Sequence, residues 1–170
     1  RSGFAEMLKH GSIADHKHWN DLISIEHLNP EAIFPFIETS MKIKESVVAQ
    51  DFKEQHIRKT LNFGHTVGHA VESLFLQNGN AIPHGEAVAL GMICETRLAF
   101  LINLITEESA ENIIKNIRRF YPYISISNFS DEQILSLMMN DKKNSGGNIS
   151  FSLLNTIVEG NFDCEISETT

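Results

Sequence analysis

An apolar run from Ala87 to Ile105 constrains this chain more than any other feature. It approaches the length of a membrane span, yet Glu95, Arg97 and Asn103 interrupt it, and Met92, Cys94 and Leu98 suit a soluble core. A helix that is apolar on nearly every side must be wrapped by other elements. The run therefore predicts a buried helix with neighbours on several faces. At 170 residues, 42% hydrophobic and 21% charged, the chain is long enough to build one compact domain and too apolar to stay disordered.

Helix signals fill most of the sequence up to about residue 140. A helix is under way from Gly3 to Lys9, with Ser2 as N-cap and Gly11 as a stop or packing position. Asn29-Pro30 and Pro35 mark a turn into a helix running through Met41, Val47 and Val48. Another covers Asn62 to Phe75 and stops at Gln77-Asn78-Gly79-Asn80; Pro83 opens the next, which extends to about Leu104. Thr106 caps a helix carrying Ile113, Ile114, Ile117 and Phe120, and Ser130 with Gln133 forms a capping box ahead of Ile134, Leu135 and Met138. After a Gly146-Gly147 turn, Ile149, Phe151 and Leu153 alternate with polar or small residues, and a second β-prone stretch lies near Ile157 to Phe162. The expectation is one mainly α domain over residues 1–170 with a short β-hairpin near its C-terminus. The opening on Arg1, without an initiator Met and already helical, has the look of a fragment cut at a domain boundary.

Fourteen Lys plus Arg against twenty-two Asp plus Glu leave a net charge of −8. An acidic surface repels a phosphate backbone, which argues against nucleic acid as a partner. Cys94 and Cys164 form neither a close-spaced metal motif nor a disulfide framework, and no signal peptide is seen, so a cytoplasmic location is expected with no membrane partner.

Eight histidines are unusual in so short a chain. On a helical wheel, Glu54, Arg58, Asn62, His65, His69 and Glu72 share an arc of about 80°. Phe63, Val67, Ala70, Val71 and Leu74 occupy the other side. A solvated face would mix Lys with Glu; two His and an Asn are poorer helix formers and better ligands or proton carriers. Gly64 and Gly68, one turn apart, admit a second backbone or a ligand at close range. His84, after Pro83 at a helix start, is kept neutral by the positive dipole end and free to ligate, or else simply caps the surface. Glu6 and Lys9 read either as a surface ion pair or as part of a site.

Four motifs together resemble the C-terminal domain of the 3-dehydroquinate synthase family: Gly3-Phe4-Ala5-Glu6-Met7-Leu8-Lys9, Arg58 to Glu72 with its Leu-Asn-Phe-Gly-His-Thr-Val-Gly-His-Ala core, His84 to Met92, and Asp141-Lys142-Lys143. The resemblance covers nearly all of the chain. It implies that Glu6, His65 and His84 bind a catalytic Zn2+ (or Co2+), leaving an open coordination position for substrate oxygens. It further implies that Lys9, Lys44, Arg58, Asn62, His69 and Lys142 line the pocket for a sugar phosphate, with Lys142 preferred over Lys143. Glu54 lies beside them, and His69, Lys9, Asn62 and Glu54 are the implied catalytic set.

The family converts 3-deoxy-D-arabino-heptulosonate 7-phosphate to 3-dehydroquinate through transient oxidation by NAD, phosphate loss, hydride return, ring opening and aldol closure. Zinc would acidify the hydroxyl being oxidised, and His69 would relay protons. The sequence departs from the family at Gln55-His56-Ile57, where Gly is frequent, and at His10, where an aromatic is frequent. The family's N-terminal NAD-binding α/β domain is not in this chain, so the chain by itself is expected to be inactive. A homodimer is implied for the full-length enzyme. Other sugar-phosphate cyclases, making 2-deoxy-scyllo-inosose or a valiolone, and a metal-dependent polyol dehydrogenase remain the competing enzyme readings. A helical interaction module without metal is the non-enzymatic one.

Overall fold

The computed structural model describes residues 1–140 and 148–166. Seven α-helices precede a two-stranded antiparallel hairpin among the described residues: α1 Ser2–Ala14, α2 His16–Ile23, α3 Pro30–Gln50, α4 His65–Gln77, α5 His84–Leu101, α6 Glu107–Arg118, α7 Asp131–Met139, then β1 Ile149–Thr156 and β2 Glu159–Ile166. A 3-10 turn, Ile57–Asn62, leads into α4. This is the mainly helical class with a terminal hairpin that the sequence predicts.

The apolar run becomes α5, packed against α1, α4, α6 and β1. Val88, Ala89 and Met92 at its start join a cluster with Phe4, Leu8, Trp19, Phe63 and Ile117. Ala99 near its end joins a second cluster with Ala70, Ile105, Met138, Phe151 and Leu153. One helix thus threads both halves of the core. No described helix is long and apolar enough to cross a membrane.

Side-chain caps fix several starts. Asn29 accepts from the Ala32 amide at 2.8 Å, Thr106 from Ser109 at 3.2 Å, and Ser130 from Gln133 while Gln133 returns the bond to the Ser130 amide. Helix α2 was not foreseen; Asp15 caps it by accepting from the His18 amide at 2.9 Å.

Several boundaries differ from expectation. α1 continues through Gly11, where the Trp19 backbone lies in the place of a Cβ, which makes Gly11 a packing position. Pro35 sits inside α3, whose N-cap is Asn29. α5 stops at Leu101, short of Leu104. The second strand is Glu159–Ile166, shifted beyond the Ile157–Phe162 stretch by a turn at Val158, which takes a positive φ of 75°. Gly146-Gly147 lies outside the described residues. Ile149, Phe151 and Leu153 of β1 are buried and complete the second core cluster.

Candidate functional site

The expected polar helix does not run from Glu54, nor even from Asn62, to Glu72. α4 starts at His65, and Gly64 before it takes φ 81°, a left-handed value that ends the helical wheel at this point. Buried Glu95 on α5 caps the break: its carboxylate accepts from the Gly64 amide at 2.6 Å and from the Val67 amide at 3.1 Å. Two of the free N–H groups at the α4 N-terminus are thereby satisfied by an anion at the positive dipole end. Gly91 of α5 lies against the Gly64 carbonyl with no room for a Cβ, and Gly68 faces the Ala87 carbonyl. A second backbone, α5, fills the approach that the two glycines of the stripe leave open.

This close packing brings the histidines together. Ligand atoms of His65, His69 and His84 all lie within 4.8 Å of one another. The His65 and His69 rings are 4.9 Å apart by centroid, and His84 is 5.8 Å from His65. His65 Nδ1 contacts the Phe63 carbonyl at 3.3 Å, and His84 Nδ1 contacts Glu72 at 3.1 Å. When Nδ1–H donates to these acceptors, each Nε2 keeps its lone pair for a ligand. Burial, reinforced by the Lys9 ammonium, holds the His65 imidazole down at about 4, so the ring is neutral at physiological pH.

Glu6 on α1 faces the same ring. Its Oε1 lies 3.5 Å from His65 Nε2 and is buried without a hydrogen-bond partner, while Oε2 accepts from Lys9 Nζ at 2.7 Å. Burial alone would raise the Glu6 carboxyl; the charge and hydrogen bond of Lys9 outweigh it and hold the group below the usual carboxylate range. An orphaned anionic oxygen beside the neutral His65 imidazole fits a divalent cation. His69 comes as close to His65 and His84 as a ligand would, although the resemblance implies Glu6 as the third donor and His69 as a proton carrier.

Glu54, Arg58 and Asn62 form a second group. Asn62 Nδ2 donates to Glu54 Oε1 at 3.1 Å, and Arg58 Nε lies 3.7 Å from Glu54 Oε2. They meet through a turn, not a helix. Asp51 organises it by accepting from the amides of Gln55, His56 and Arg58, and Glu54 stands at φ 55°. Lys44 on α3 lines a cavity of about 430 Å³ together with Glu6 and His10. Lys142 and its neighbour Lys143 lie outside the described residues. Sequence reasoning missed Asp51 and Glu95 as organisers; a lone carboxylate inside the apolar run was the available signal for Glu95.

Fold and site together define a class: a helical domain with a histidine-lined candidate metal site. Its architecture is similar to that of 2-deoxy-scyllo-inosose synthase complexed with carbaglucose-6-phosphate, NAD+ and Co2+, at TM-score 0.80 and 24% identity over 99% of this chain and 49% of that one. ValA, the 2-epi-5-epi-valiolone synthase of Streptomyces hygroscopicus subsp. jinggangensis 5008 with NAD+ and Zn2+ bound, gives TM-score 0.81 at 20% identity over 99% and 48%. Residues 3–144 match the model of the 3-dehydroquinate synthase C-terminal family, and the chain belongs to that family. The 3-dehydroquinate synthase of Parabacteroides distasonis is 38% identical over 158 residues, covering 92% of this chain and 45% of that protein. That of Lysinibacillus sphaericus is 34% identical over 164 residues, covering 92% and 44%. The chain spans about half the length of the relatives it matches.

Proposed function

We propose that this chain is the metal- and substrate-binding half of a 3-dehydroquinate synthase, a lyase that forms 3-dehydroquinate and phosphate from 3-deoxy-D-arabino-heptulosonate 7-phosphate on the shikimate route to aromatic compounds. The observation that carries this reading is the meeting of His65, His69 and His84 beside the orphaned Glu6 oxygen. Glu6, His65 and His84 would hold the zinc, which when bound acidifies a substrate hydroxyl for oxidation by NAD. His69, the exposed member of the cluster, faces the substrate and moves protons there. Lys9, buried and paired with Glu6, keeps that carboxylate ionised and presents a donor to an anionic substrate. Arg58 and Asn62, steadied by Glu54, orient the substrate with Lys44 and Lys142.

A separate NAD-binding α/β domain supplies the rest of the enzyme, so this chain alone is inactive. The full-length protein works in the cytoplasm as a homodimer. The sequence relatives named as 3-dehydroquinate synthases favour this substrate over those of the two solved synthases with the same fold. The test is product formation by the full-length protein, with bound metal measured in parallel. Zinc-dependent release of phosphate with 3-dehydroquinate as product is expected. Formation of 2-deoxy-scyllo-inosose or a valiolone instead, or glycerol oxidation without phosphate release, would replace the assignment.

A further inference from the structure

The turn carrying Arg58 and Asn62 is short, 3-10 in character and joined to α4 through left-handed Gly64, so little in its own backbone fixes it. The hairpin does. Lys59 Nζ donates to both carboxylate oxygens of Asp163 at 2.6 and 2.8 Å, and Ser152 Oγ donates to the Lys59 carbonyl at 2.7 Å. Gly160 packs on the Thr60 side chain so closely that a Cβ there would meet Thr60 Cγ2 at 2.9 Å. The hairpin is itself anchored elsewhere, since the Val158 amide donates to the Ser12 carbonyl of α1 at 2.8 Å.

The residue bonded to Lys59 stands in a left-handed backbone state. Asp163 stands at φ 55° inside β2, where the register slips between Phe151 and Leu153 on the opposing strand. A bulge with a left-handed residue re-aims a side chain, and Asp and Asn are among the few non-glycine residues that tolerate it. A polar cavity of about 340 Å³ lies between the two elements, with Glu54 and Asn62 on one wall and Ser150, Ser152 and Asp163 on the other.

We propose that the C-terminal hairpin is a clamp on the substrate-facing turn, with Asp163, Ser152 and Lys59 as positioning residues for Arg58 and Asn62. The proposal rests on the substrate role given above to those two residues. Lys59 itself points to Asp163, and its main-chain atoms are the handle by which the turn is held.

The test uses the full-length protein with Asp163→Asn, Lys59→Met, their double variant, and Lys59→Arg. Asp163→Asn keeps the side-chain shape and the tolerance for positive φ while removing the charge. Because the pair is partly exposed, each single charge-removing variant should raise KM for the sugar phosphate by about threefold to fivefold. kcat should stay within about twofold and the zinc content should not change, since no zinc-site donor is altered. The double variant should be no worse than either single one, and Lys59→Arg should behave as wild type. Amide exchange should rise over Ile57–Asn62 and stay unchanged over His65–Gln77.

Unchanged KM and exchange in the single variants would overturn the clamp. Multiplicative losses in the double variant would do the same, as would protection lost equally in α4. If wild-type protein makes no 3-dehydroquinate, the reaction assignment fails by itself, and exchange over the turn still decides whether the hairpin holds it.

Discussion

The two polar groups of this domain are built in opposite ways. The histidines stand on α4 and α5, helices locked together by backbone contact at Gly91 and by the buried Glu95 carboxylate. Glu54, Arg58 and Asn62 stand on a turn held by polar side chains, Asp51 from before it and the hairpin from behind. Cation ligands must meet within a few tenths of an ångström, a demand that packed helices meet better than loops do. If the second group binds the flexible sugar phosphate proposed above, it tolerates, and gains from, a support that can adjust.

Substitutions in each group should therefore fail differently. The largest effect is expected for His65→Ala in the full-length protein, which should lose stoichiometric zinc and all measurable turnover. His69→Ala should keep its zinc and turn over more slowly. Elemental analysis beside an activity assay reads both, and equal zinc loss would make His69 a ligand. Next comes Glu95→Ala, which strands the buried Gly64 amide and the part-buried Val67 amide and should cost about 3 kcal/mol of folding stability, measured by denaturant unfolding. Asp51→Asn should leave zinc content intact and raise KM by about tenfold as the turn loosens. If it removed zinc instead, the two groups would not be independent.

A more gradual effect is expected from pH. Burial, with the nearby Lys9 charge second, holds His10 at about 4 against an ordinary value of 6.5, and its Nδ1 is 2.7 Å from Ser40 Oγ. Below pH 6.5 the unfolded chain takes up a proton that the folded one refuses, so stability falls as pH drops from 6.5 to about 4. His10 alone should give a slope of about 1 kcal/mol per pH unit, His65 adds to it in the same window, and His10→Gln should reduce the total slope without flattening it, as thermal melts at several pH values would reveal.

Much of this was readable in the sequence because it is local. The Ala87–Ile105 run, the Asn29-Pro30 turn into α3, the Thr106 and Ser130 caps, and the alternation in the β1 sequence each carry their signal within a few residues. The polar stripe misled as to its backbone, since a helical wheel has no way to register the left-handed turn at Gly64. It nevertheless grouped the right side chains, because Asp51 folds the loop back and returns Glu54 to Asn62. Contacts such as Glu95 to Gly64 or Asp163 to Lys59 join distant parts of the chain through the tertiary fold, and no spacing rule encodes them.

The backbone contact between Gly91 and Gly64 has a thermodynamic consequence for the proposed metal site. Two helices that touch main chain to main chain resist rotating or sliding past one another, which stiffens the frame carrying the imidazoles of α4 and α5. Little ordering entropy then opposes binding, and an ion of unsuitable radius meets a frame that will not reshape itself to suit. A bulkier residue at position 91 would wedge the frame apart and degrade selectivity among divalent cations before it abolished their capture.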